Sequence, residues 1–209
     1  MKEENYTALQ EKPLTERALS AQALCLADKK SFAYEYLEEN IKANIHDIKR
    51  ELYSLTLLDD INLLDDIDIT YEISNSRRAI ATAFIAENKM TFYKNRLINS
   101  NINKEYIHEL SHFICFHFLK LQGHCLEFAI ISYCLIRKYS ASKVFFNSYD
   151  IHEDKAFRFL SINASEFDAL ICNIEFESFG ELSRKAKILA TKIREKSVPL
   201  GLTKLENDK

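Results

Sequence analysis

Apolar residues in this chain recur at two different periods, and the change between them marks where helices give way to strands. From Ser31, whose hydroxyl can cap a helix start, apolar side chains fall at Tyr34, Leu37, Ile41, Ile45, Ile48, Leu52 and Leu55. Steps of three and four keep one stripe of a helix apolar, so the segment predicts a helix that covers a core rather than a coiled-coil partner. Ahead of it, the moderately apolar, alanine-rich Leu14–Lys29 predicts another helix. From Ile67 the period drops to two. Ile67, Ile69, Tyr71 and Ile73 alternate with Asp68, Thr70 and Glu72, the pattern of a half-buried strand. Two more short strands are expected near Ala79–Ala86 and Lys89–Tyr93, with Glu87-Asn88 as their turn. Helical spacing returns over Lys104–Leu121, where Ile107, Leu110, Ile114, Phe118 and Leu121 are apolar. Gln122-Gly123 should break that helix, and the apolar run from His124 to Ile136 predicts a returning one. Ser165 and Ser178 each predict a further helix start, the second with Glu181 completing a capping box. The last helix would pack Phe179, Leu182, Ala186, Leu189 and Ile193. The class is α+β, mainly helical, with a small antiparallel sheet packed on one helix.

Five segments follow from this reading: a flexible N-terminus over 1–12, helices packed on the core over 13–57, a central unit over 58–140, a helical extension over 141–198, and a flexible tail over 199–209. With 209 residues, of which 47% are hydrophobic, the chain can bury one sizeable core. Three Gly and two Pro agree with few tight turns and much helix. Met1–Lys12 lacks the apolar stretch of a secretory signal, and no run is long and apolar enough to span a membrane. Five cysteines without framework spacing point to a reducing compartment, so the expectation is a cytoplasmic protein with no membrane partner.

The chemistry concentrates in His108-Glu109-Leu110-Ser111-His112 and in His124. Residues four apart share a helix face, so His108 and His112 can hold one metal ion together. A helix that turns back after Gly123 can deliver His124 as the third ligand. Three nitrogen ligands leave one coordination position open, which is the arrangement of catalytic rather than structural zinc. Glu109 stands where a carboxylate can take a proton from water at that position, the role of a general base. These residues predict a zinc hydrolase, with Zn2+ held by His108, His112 and His124. His117, five residues after His112, points away from the ligand face. Cys115 and Cys125 fall near the site and are read as small packing residues.

The same residues resemble the SprT-like family of zincin metallopeptidases, relatives of the DNA–protein crosslink protease Spartan. The family's HExxH is followed by a short turn and a His-Gly-x-Glu-aromatic segment opening the next helix. Here the corresponding stretches are His108-Glu109-Leu110-Ser111-His112 and Gly123-His124-Cys125-Leu126-Glu127-Phe128. Upstream, Arg77-Arg78 before a small-residue run and then Lys89-Met90-Thr91-Phe92-Tyr93 are also similar to the family. The resemblance covers roughly residues 30–140 and is strongest over 104–136. It implies a zincin-like core and cleavage of peptide bonds in protein substrates. It also implies an edge strand, Lys89–Tyr93 or its neighbour, that takes an extended substrate by strand addition. Two departures stand out: Cys125 occupies a position where the family usually has Gly, and no Cys-x-x-Cys pair is present to form the zinc ribbon of bacterial members.

Charge adds little to this picture. The formal net charge is −3, with no global pull toward nucleic acid. Glu181–Lys209 nevertheless holds eight Lys or Arg against four Asp or Glu, so DNA binding through a basic C-terminal helix, in a DNA-associated regulatory or repair factor, is the rival expectation. A non-catalytic zinc-binding protein is a third, against which Glu109 speaks because a structural site needs no base. Asp59, Asp60, Asp65, Asp66, Asp68 and Glu72 lack the glycine and terminal glutamate of a calcium loop and predict a solvated acidic loop. Tyr149 to Asp154, with His152, reads as a surface loop, and Tyr93, Tyr106 and Tyr149 are the candidates for stabilising an oxyanion.

Overall fold

The computed structural model describes residues 34–59, 62–73, 79–99, 101–139 and 162–197. The expected helix over Leu14–Lys29, both flexible termini and the Tyr149–Asp154 cluster lie outside these residues. The chain divides into two compact units, Met1–Lys42 and Ala43–Lys209. In the first, residues 34–42 are helical; the second opens on helical residues 43–52, where Ile45, Ile48 and Leu52 are buried at the expected spacing.

A three-stranded sheet follows: β1 (Asp68–Glu72), β2 (Ala81–Phe84) and β3 (Lys89–Tyr93), in the order β1-β3-β2. β2 and β3 form the expected hairpin, closed by a 3-10 turn over Ile85–Glu87 and by Asn88 in the left-handed region at φ 47°. β1, however, runs parallel to β3, so the sheet is mixed and not the antiparallel one expected. Alternation of apolar and polar residues fixes which face a strand buries but carries no direction. With β1 parallel to β3, the end of β1 and the start of β2 lie at the same end of the sheet. β3 is the central strand, and its Met90, Thr91 and Phe92 are buried.

Four helices build and support the site: α1 (Ile102–Ile114), α2 (Leu126–Tyr139), α3 (Ala164–Ile171) and α4 (Phe179–Ser197). α1 starts where the Asn101 side chain accepts the Lys104 N–H at 3.0 Å, a helix cap that satisfies one of the first free amides. Its Tyr106, Ile107, Leu110 and Ile114 are fully buried, each aliphatic one contributing about 1.5–3 kcal/mol. A single π-helical turn, Cys115–Leu119, extends α1 before Lys120 at φ 57° ends it. α1 packs on β2 and on α2, and α2 packs on α3 and α4. α3 is capped by Asn163 with Glu166 as a full capping box, two residues ahead of the expected Ser165. α4 begins at the expected Ser178, whose hydroxyl accepts the Glu181 N–H at 3.1 Å, but the Glu181 carboxylate accepts the Glu177 N–H at 2.9 Å, so the expected capping box does not close. No described helix is long and apolar enough to cross a membrane.

Candidate metal centre

α1 presents His108 and His112 from one face while its opposite side is held in the core. The chain then leaves the helix through Lys120, turns at Gly123, where φ of 73° favours a residue without Cβ, and delivers His124 just before α2. Nitrogens of His108, His112 and His124 all lie within 4.8 Å of one another. Nitrogens sharing a tetrahedral zinc stand about 3.4 Å apart, given bonds of about 2.0–2.1 Å, so small ring rotations suffice to share an ion. Phe128 backs the group. Its ring stacks on His112 at 4.2 Å and 21°, lies 4.8 Å from His124, and meets His108 edge-on at 5.0 Å. The aromatic in the second half of the sequence motif is therefore a wall against which all three imidazoles rest.

The electrostatics suit metal ligation. Burial, reinforced by the other two imidazoles and Lys104, pushes His108 down to about 3. Burial and the neighbouring His124 bring His112 to about 4. Both are therefore neutral near physiological pH, the form in which imidazole binds a metal. Glu109 is 7% exposed, and burial raises its carboxyl to about 7, with Glu105 adding to the rise and a hydrogen bond from the Ala83 N–H opposing it. That bond ties the candidate base to β2. Burial also raises the Glu105 carboxyl, with Lys104 opposing.

All four predicted site residues open into one cleft of about 730 Å³, walled by residues 79–87 along β2 and floored by Glu105, His108, Glu109 and His112 of α1. Gln122, Gly123 and His124 close its end. β2, not Lys89–Tyr93, is the edge strand beside the histidines, because β3 is paired on both sides. Tyr93 and Tyr106 do not line the cleft, and Tyr106 is fully buried. Neither is placed to receive an oxyanion there. His117 is exposed on the π-helical turn and stays outside the histidine group, as expected. The thiols of Cys115 and Cys125 also stay outside it. Cys125 Sγ accepts the Phe128 N–H at 3.4 Å.

Three residues gained roles that the sequence reading missed. Arg194, until then only one of the cations of the basic C-terminal helix, forks onto Glu127. Asp59, assigned to a solvated loop, accepts the Gly180 N–H at 2.9 Å. Glu105 lies one helical turn before Glu109, a spacing that could have flagged it as a second carboxylate in the cleft. No family model, curated protein or solved structure matches this chain.

Proposed function

We propose that the chain is a zinc-dependent metallopeptidase of the SprT-like kind, hydrolysing peptide bonds in extended segments of protein substrates. One observation carries the proposal: three imidazoles able to share an ion and a buried carboxylate of raised proton affinity open into the same strand-walled cleft. A purely structural zinc site would need the ligands but neither the carboxylate nor the cleft.

His108, His112 and His124 would hold the ion. Zinc bound there supplies a Lewis acid that makes water nucleophilic near neutral pH and polarises a carbonyl. Glu109 accepts the proton of the attacking water and hands it to the leaving amine. β2, an edge strand among the described residues, could add an extended chain, and main-chain pairing discriminates little between side chains, which fits varied or partly unfolded substrates. DNA-directed action has weaker support. Arg184, Lys187, Lys192 and Lys196 are exposed on α4, but Lys185 is held by Glu181 at 2.8 Å and Arg194 by Glu127.

The test is cleavage of a denatured protein by the zinc-loaded chain. Wild type should cut it, and Glu109→Gln should keep its zinc while losing about a hundredfold or more in rate. Equal cleavage by both would remove Glu109 from the mechanism.

A further inference from the structure

We propose that Arg194 is a positioning residue for the third ligand, His124, acting through Glu127, so that α4 is part of the metal centre's scaffold. The inference deepens the zinc reading above and depends on it for its readout.

The three ligands are not equally supported. His108 and His112 ride on a helix whose other side is fully buried. His124 is exposed and belongs to the non-helical segment between Lys120 and Leu126, with two left-handed residues just ahead of it. Something other than its own element must fix it. Glu127, three residues on and in the first turn of α2, is 5% exposed, and its two carboxylate oxygens accept from Nη1 and Nη2 of Arg194, each at 2.6 Å. The same first turn holds Cys125, the residue directly after His124, whose Sγ accepts the Phe128 N–H at 3.4 Å and whose carbonyl accepts the Ala129 N–H at 3.1 Å. A two-pronged guanidinium contact fixes both the distance and the plane of a carboxylate, which a single lysine bond does not.

The helix that carries Arg194 is itself pinned at its far end. There the Gly180 N–H donates to Asp59, and the fit is so close that a Cβ on Gly180 would stand 2.6 Å from Asp59 Oδ1. α4 is thus a strap, fixed near residue 180 and again at residue 194, with the ligand-bearing segment tied to its second anchor. Without Arg194 the Glu127 carboxylate is a buried charge without its cationic partner. It must turn toward water, and that movement loosens the first turn of α2 and with it Cys125 and His124.

The experiment measures Zn2+ affinity by competition with a chromophoric chelator on the purified chain, for wild type, Arg194→Ala, Arg194→Lys, His124→Ala and the Arg194→Ala/His124→Ala double variant. Absorption of the cobalt(II)-loaded proteins reports ligand geometry. Arg194→Ala should bind zinc about tenfold more weakly and shift the cobalt bands, while the metal-free chain keeps its far-ultraviolet circular dichroism. Arg194→Lys should recover part of the loss. In the His124→Ala background, Arg194→Ala should cost no further affinity, because its effect passes through the ligand already removed. Unchanged zinc affinity in Arg194→Ala, or a loss that simply adds to that of His124→Ala, overturns the inference and leaves the zinc reading standing. A wild-type chain that binds no zinc overturns both. Should Arg194→Ala fail to fold, the isosteric Glu127→Gln carries the same comparison.

Discussion

Replacing Glu109 by Gln should separate stability from chemistry, because the same burial that equips the carboxyl for proton transfer penalises its charge. In the metal-free protein burial, aided by Glu105 and opposed by the Ala83 N–H, lifts this group from 4.5 to about 7. At 1.36 kcal/mol per tenfold change in proton affinity, that is about 3 kcal/mol against the ionised form. The sign follows from which state ionises first. Below about pH 4.5 the carboxyl is protonated folded and unfolded alike, and its full contribution to stability is present. Between about 4.5 and 7 the unfolded chain releases its proton while the folded chain does not, so stability falls as pH rises. Above about 7 the loss is complete. Glutamine keeps the shape and can still accept the Ala83 N–H, yet carries no charge. Taking the difference between the two proteins at about pH 4.5 as reference, Glu109→Gln should gain on wild type by up to about 3 kcal/mol at about pH 8. The assay is urea unfolding of chelator-stripped protein at several pH values, with equal denaturant slopes confirming that only stability has changed. A gap independent of pH, or one that widens in favour of wild type, would refute the assignment of Glu109 as a buried carboxyl held near neutrality.

Other substitutions probe the scaffold. Gly180→Ala places a methyl 2.6 Å from Asp59 Oδ1 and 3.1 Å from Phe118, so it should sacrifice the Asp59 bond. After allowing for alanine's better helix propensity, the net destabilisation should be about 1–2 kcal/mol by chemical unfolding. Wild-type stability there would mean that the strap closes without that bond. Phe128→Ala removes a ring that is 1% exposed and touches all three imidazoles. It should cost about 3–5 kcal/mol and also loosen zinc in the chelator competition; a stability loss with zinc affinity intact would reduce Phe128 to filling space. Acid should unfold the metal-free chain through His108 and His112. Their lowered proton affinity means stability present above about pH 6.5 is lost as pH falls toward about 4. In the Glu109→Gln background, where the opposing contribution of Glu109 is gone, a melting temperature flat over that range would contradict their burial as neutral rings.

Much of this architecture was legible because periodicity reports burial directly. The stripe Ile45, Ile48, Leu52 and the face Ile107, Leu110, Ile114 are buried where their spacing puts them. Residues His108, His112 and His124 could be paired from the sequence because helix geometry converts a spacing of four into a shared face, and Gly123 signals the return. What escaped depends on partners far apart in the chain. Arg194 meets Glu127 across 67 residues, and nothing local distinguishes it from the exposed cations beside it. Asp59 likewise looks like one more carboxylate in an acidic loop until the backbone of Gly180 approaches it. Strand direction was hidden as well, since β1 pairs outside the hairpin and apolar–polar alternation reads the same in either direction.

Every role proposed for this chain requires His108, His112 and His124 to hold one metal ion, and the decisive measurement is elemental analysis of zinc per chain. Purified wild type, equilibrated with zinc and then freed of loosely held metal, should carry close to a single ion per chain, and His124→Ala close to none. Equal zinc in both proteins, or none in wild type, would contradict it.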